Sequence, residues 1–190
     1  SNRLRIWESK IDSTPVLEGS ILAWRTSALG SFRLNERMNA DDAQIGFFSI
    51  RSGHRSIVDE RITFRRFEGS PDRTMKESVR RAQGLSMALL KNFDLAIFGP
   101  RRRSRMAIIN ALFLYVIFPW AAVLFALNSL IAYSFNPELG DSWGSFSVGA
   151  IFLTLISRQG RFVAKGIIIV IIAHVQIATG RRYQNWDPVR

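Results

Sequence analysis

The stretch MAIINALFLYVIFPWAAVLFALNSLIAYSFNP, residues 106–137, contains no charged side chain. A helix needs ~20 consecutive apolar residues to cross the hydrocarbon core of a bilayer, and uncharged runs this long are rare in soluble folds. The stretch therefore reads as membrane-embedded and makes the chain an integral membrane protein. Pro119 divides it, because proline has no N–H and its ring clashes with the preceding turn. Two readings follow: an interfacial helix before Pro119 with a spanning helix from about Trp120 to Tyr133, or one long kinked span.

Two further apolar runs lie beyond it. The run from Trp143 to Ser157 is short for a span. The run from Phe162 to Thr179 contains Ile167-Ile168-Ile169-Val170-Ile171-Ile172, with Lys165 near its start and His174 inside. Lys165 can snorkel to the headgroups, and His174 reads as a packed or hydrogen-bonded helix residue rather than a functional one. Trp120, Tyr133 and Trp143 suit interfacial anchoring. Residues 101–190 are thus expected to form two to three transmembrane or interfacial helices.

Arg101, Arg102, Arg103 and Arg105 stand immediately before the uncharged stretch. By the positive-inside rule they place residues 1–100 in the cytosol of a membrane-bound protein. Asn136-Pro137-Glu138-Leu139-Gly140-Asp141 is acidic and turn-rich, which suits an outside loop. Arg158 and Arg161 suit an inside loop. Arg181 and Arg182 also look cytosolic, yet a third full span would put them outside, so one apolar segment is interfacial or re-entrant.

The formal net charge is +11, and most of the basic residues precede Met106. No cysteine is present, which excludes disulfides, zinc–thiolate sites and a cysteine nucleophile. Ser1 to Lys10 has no apolar core of a signal peptide. No recognition motif accompanies the positive charge, so no nucleic-acid partner is expected. Within the polar part, Ala43 to Ile50 reads as a helix and Met75 to Asn92 as an amphipathic helix. Ser56 to Phe67, with Ile57, Val58, Ile62, Phe64 and Phe67, is compatible with short strands. Gly69-Ser70-Pro71-Asp72 reads as a loop.

Three clusters carry candidate chemistry. In Asn39-Ala40-Asp41-Asp42, adjacent carboxylates precede an apolar helix. They are either an N-cap with a first-turn acid, favoured by the helix dipole, or a general base for an attacking hydroxyl. In Arg80-Arg81-Ala82-Gln83-Gly84 the arginines are either a solvated face or phosphate ligands, since guanidinium pairs bidentately with phosphate. The third cluster is Leu17-Glu18-Gly19-Ser20 with Trp24-Arg25.

In order and spacing these pieces resemble the C-terminal half of a family 2 glycosyltransferase, the membrane-bound inverting synthases that include cellulose, hyaluronan and poly-N-acetylglucosamine synthases. The resemblance runs from Leu17 to the end. Gly19 through Arg25 looks like the segment lining the acceptor side. Ala40-Asp41-Asp42 sits where the family has Thr-Glu-Asp or Gly-Asp-Asp, so Asp42 matches the proposed base, with Asp41 beside it. Gly53-His54-Arg55, Asp59-Glu60 and then Glu68, Pro71 and Thr74 are similar to the stretch that follows. Glu77 to Gly84 lies where the family has Gln-x-x-Arg-Trp: Glu77 replaces the Gln, Arg80 matches the Arg, and Arg81 takes the Trp position. Trp186-Asp187-Pro188-Val189-Arg190 resembles the close of such chains.

The resemblance implies an α/β fold, the acceptor-side half of a GT-A-like domain over residues 1–100, followed by α-helical membrane segments over 101–190. It implies sugar transfer with inversion, from a nucleotide-diphosphate sugar to a saccharide or lipid-linked acceptor, with Asp42 as base. Arg80, Arg81, Glu77, Gly19 and Arg25 fall to diphosphate and acceptor binding, and membrane lipids are further partners. A divalent metal, Mg or Mn, is implied for the intact enzyme. The Trp of Gln-x-x-Arg-Trp belongs to the family's acceptor-sugar platform, and its absence shifts the expectation from polymerisation to a single transfer. The chain contains no Asp-x-Asp, the family's metal and diphosphate motif, and no nucleotide-binding half. These 190 residues are therefore expected to be a fragment that does not turn over alone. The rival reading is a non-catalytic, basic membrane-anchored module for anionic lipid or a protein partner.

Overall fold

A computed structural model describes residues 2–17, 21–35, 38–62, 71–135, 149 and 156–181. The chain forms seven α-helices among these residues: α1 (Asn2–Ile11), α2 (Asp41–Arg51), α3 (Pro71–Lys91), α4 (Asp94–Phe98), α5 (Arg102–Leu112), α6 (Phe118–Phe135) and α7 (Arg158–Ala178). A 3-10 turn covers Thr26–Ala28, and a π-helical turn over Phe113–Ile117 joins α5 to α6.

The α/β expectation is corrected here: among the described residues there is no strand, and the GT-A-like half-sheet is not seen. Residues 56–62 show why. The Ser56 carbonyl accepts from the Thr14 N–H at 2.8 Å, the Ser56 N–H donates to Ser13 Oγ at 3.3 Å, and the Val58 N–H donates to Ser9 Oγ at 2.8 Å. The backbone there is satisfied by the end of α1, largely through side-chain hydroxyls, instead of by a neighbouring strand. β-branched composition favours a strand only where a ladder is available to join. Residues 63–67, the rest of that expected strand segment, lie outside the described residues. The loop expected over 69–72 is also revised, since Pro71 and Asp72 open α3. Proline suits a first helical position, where its missing N–H has no intrahelical partner to lose.

The core of the polar part gathers Phe47 and Ile50 from α2, Ala88 and Leu89 from α3, Leu95 and Ala96 from α4, and Ile108, Ala111 and Leu112 from α5. α5 thus completes this core even though it begins the apolar stretch. Asp12, just after α1, binds the same body together. Its Oδ1 accepts from Ser13 Oγ at 3.1 Å and pairs with Arg101 Nη1 at 3.0 Å, while its carbonyl accepts from Arg55 Nε at 2.8 Å.

Two helices are long and apolar enough to cross a membrane: Arg102–Ile131, of 30 residues, and Arg158–Ala178, of 21. The first is one continuous helix with the π-turn set just before Pro119. A π-turn widens the helix by one residue and accommodates the carbonyl that proline leaves without a donor. At ~1.5 Å per residue this helix is ~45 Å long, more than a ~30 Å hydrocarbon core requires. Its first three turns are spent on the polar core, and beyond them Trp120, Leu124, Phe125, Leu127, Leu130 and Ile131 are exposed. Most of the run from Trp143 to Ser157 lies outside the described residues.

α7 packs on α3. Gln83 Nε2 donates to Gln176 Oε1 at 2.8 Å and to the Arg181 carbonyl at 3.3 Å, and Ser86 Oγ lies 2.9 Å from His174 Nε2. Positions rise along α3 as they fall along α7, so the two helices run antiparallel. Arg181, whose side of the membrane the charge pattern left open, lies against α3.

Candidate functional site

The sequence motif Asn39-Ala40-Asp41-Asp42 ends in the first turn of α2, and Ala40, not an aspartate, occupies the N-cap. Ala40 makes no side-chain cap and has φ 144°. Positive φ brings a β-carbon against its own backbone, which costs ~1–3 kcal/mol unless surroundings enforce it. Asp41 is exposed and Asp42 half-buried. Asp42 Oδ1 accepts from the Ala43 N–H at 2.8 Å. Both carboxylates stand in the first turn, at the positive end of the helix dipole.

Two structures enforce the Ala40 geometry. The first is Gln44, buried one turn into α2. Its Oε1 accepts from the Asn35 N–H at 2.8 Å, and its Nε2 donates to the carbonyls of Asn35 at 3.2 Å and Met38 at 3.3 Å. One amide thus clamps the loop entering the helix. The second is Gly84 of α3. A β-carbon there would overlap the Asn39 carbonyl oxygen and lie 2.9 Å from the Ala40 β-carbon. Only glycine lets the loop backbone rest on the α3 backbone.

This contact brings together the two clusters that were expected to share chemistry. Arg80 lies one turn before Gly84 on the same face of α3, since residues four apart stack along a helix. It is half-buried and makes no hydrogen bond or ion pair with a described residue. Arg81 points elsewhere, pairing with Glu77 one turn back on the helix surface. Glu77 and Arg81 thus satisfy each other.

Of the remaining expected residues, Arg25 is not joined to this site by any hydrogen bond or ion pair among the described residues. Arg25 is exposed at the head of the 3-10 turn, where its carbonyl accepts from the Ala28 N–H at 2.9 Å. No hydrogen bond among the described residues links its side chain to α2 or α3. The turn itself is tied to α2 through Phe32, whose ring centroid lies 5.0 Å from that of Phe48. Gly19 lies outside the described residues, as do Glu68 and residues 186–190. Among the described residues no three histidine, aspartate or glutamate side chains converge as metal ligands.

Gln44 is the positioning residue that reading the chain overlooked. Its signal was a lone amide inside the apolar run Ala43 to Ile50, where a buried polar side chain needs partners. Comparison with protein families, with characterised proteins and with solved structures finds no match for this chain.

Proposed function

We propose that this chain supplies the acceptor side of an inverting sugar transfer at a membrane, with a nucleotide-diphosphate sugar as donor and a saccharide or lipid-linked hydroxyl as acceptor. The observation that supports the reading is the seat of Asn39-Ala40 on Gly84, which joins the loop before Asp41-Asp42 to the helix that carries Arg80. In this reading Asp42 takes the proton of the acceptor hydroxyl as its oxygen bonds to the anomeric carbon. The bond from that carbon to the diphosphate breaks on the opposite face, giving inversion. Arg80 pairs with the departing diphosphate, whose oxygens suit a guanidinium. The two apolar helices keep this chemistry at the bilayer, within reach of an acceptor held there.

The test is sugar transfer by the full-length protein in nanodiscs. General-base help is worth roughly 10²–10⁴-fold. Asp42→Asn keeps the shape and the hydrogen bond to the Ala43 N–H but cannot take a proton. Its turnover is expected to fall by that factor while donor affinity and folding persist. Asp41→Asn is the milder control. Near-normal turnover for Asp42→Asn would leave the carboxylate as a first-turn acid and remove the claim.

A further inference from the structure

Where α4 meets α5 the surface changes character within a few residues. Leu90, Phe93 and Ile97 are exposed, and Phe98 is 80% exposed. Gly99 then turns the chain so closely that a β-carbon would strike the Leu95 carbonyl, and α5 opens at Arg102. The four arginines here divide into two pairs. Arg101 is committed to Asp12 and to the Gly53 carbonyl, and Arg105 to the Ile97 carbonyl at 3.0 Å. Arg102 and Arg103 are exposed. Arg102 makes no hydrogen bond or ion pair with a described residue, and Arg103 makes only a 3.5 Å contact to the Ile11 carbonyl. The carboxylate of α4, Asp94, is already held by both Arg51 nitrogens, at 2.7 and 2.9 Å. Further along, Met106, Ile109 and Phe113 are exposed apolar residues on the 30-residue helix.

Exposed apolar surface of this kind is uncommon on a soluble face, and it adjoins Arg102, which pairs with no described residue, and Arg103, held only by its 3.5 Å contact to the Ile11 carbonyl. Side chains of both types suit one environment: apolar rings at the acyl boundary, guanidinium groups on lipid phosphates. We propose that α4 and the head of α5 form an interfacial wedge. Phe93, Ile97 and Phe98 enter the headgroup region of the bilayer that holds the apolar remainder of the helix Arg102–Ile131, and Arg102 and Arg103 pair with anionic phospholipid. The wedge rests on reading that helix as a span. A lipid surface is the occupant because the patch adjoins the head of the apolar helix and carries positive charge at its edge.

The natural absence of cysteine makes single spin labels unambiguous. Labels at Phe98→Cys, Leu124→Cys and Ser52→Cys are placed in vesicles of equimolar phosphatidylcholine and phosphatidylglycerol. Collisions with oxygen, which partitions into lipid, are then compared with those of an aqueous nickel chelate. Position 98 is expected to favour oxygen at shallow depth, ~5–10 Å below the surface; position 124 is expected deeper, and position 52 aqueous. Lipid exposure at 124 with water exposure at 98 overturns the wedge and leaves the span standing. Water exposure at both overturns the span as well. Shielding of 98 from both reagents means that protein covers it, and also overturns the wedge. In a second arm, the Arg102→Gln, Arg103→Gln double variant is expected to lose roughly 30-fold of its preference for phosphatidylglycerol over phosphatidylcholine, about fivefold for each charge removed. The corresponding double lysine variant keeps most of it. An unchanged preference in the glutamine variant overturns the lipid pairing.

Discussion

Ala40 holds a backbone conformation that an L side chain rarely adopts, and its neighbours show what keeps it there. Gln44 fixes the loop from within α2, and Gly84 supplies the flat surface beneath it. Ala40→Gly removes the β-carbon strain, partly offset by glycine's greater freedom in the unfolded chain, and should stabilise by ~1 kcal/mol. Gly84→Ala acts in the opposite direction, because the new methyl group meets the Asn39 backbone and not a yielding side chain. It should cost ~1–3 kcal/mol or more. Gln44→Leu removes the side-chain partner of the Asn35 N–H and of the Met38 carbonyl, while the Asn35 carbonyl keeps the Met38 N–H at 3.0 Å, and should cost ~1–3 kcal/mol. Denaturant unfolding of the three variants in one detergent orders them. A destabilised Ala40→Gly would mean that the loop conformation is favoured by something other than these two contacts.

At the scale of elements, α3 joins the candidate site to the apolar helices through a polar seam. Trp120 Nε1 donates to His174 Nδ1 at 3.0 Å, with the two rings stacked 12° from parallel. Indole nitrogen is only a donor, so Nδ1 accepts, Nε2 carries the proton, and Ser86 Oγ receives it. His174 was expected to be a hydrogen-bonded helix residue, and the seam gives it two partners on separate helices. A double-mutant cycle of Ser86→Ala with His174→Phe should return ~0.6 kcal/mol of coupling, the average for such bonds in membrane proteins. No coupling would mean that the seam does not hold α3 to α7. The end of α2 is tied to α4 by the Arg51–Asp94 pair, which is about half exposed. The Arg51 hydrogen bonds hold the Asp94 carboxyl below its ordinary value of 3.8. Such a depressed acid stabilises the fold fully above that ordinary value, and the contribution disappears as pH falls through the lowered one. Solvent screening limits it to about 1 kcal/mol or less. The melting-temperature gap between the parent and Asp94→Asn should therefore be present at neutral pH and close below the ordinary carboxylate range.

For the whole molecule, the decisive quantity is the apolar surface that the fold leaves uncovered. Past the π-turn, α6 exposes Trp120, Leu124, Phe125 and Leu127, and α7 exposes Phe162, Val163, Ile168 and Val175. A soluble core helix would hide these residues. Expressed in cells, the chain should stay with the membrane fraction through an alkaline carbonate wash, because runs this long insert instead of adsorbing. Release into the soluble fraction would overturn both the membrane reading and the interfacial wedge.

Residues 106–137 determined by themselves that a long apolar helix exists, because length and absence of charge are local properties and need no partner to be read. The periodicities that marked α2 and α3 are local in the same sense. The expected sheet was not: a strand needs a ladder, and the segment at Ser56 found the end of α1 instead. Tertiary structure alone decided that α5 belongs to the polar core, that His174 joins Ser86 to Trp120, and that Arg81 pairs with Glu77 while Arg80 pairs with no described residue. It also decided that Asn39 and Gly84, 45 positions apart in the chain, touch backbone to backbone. Glycine marks such a contact by what it lacks, and a missing side chain gives the sequence no pattern from which its partner can be read.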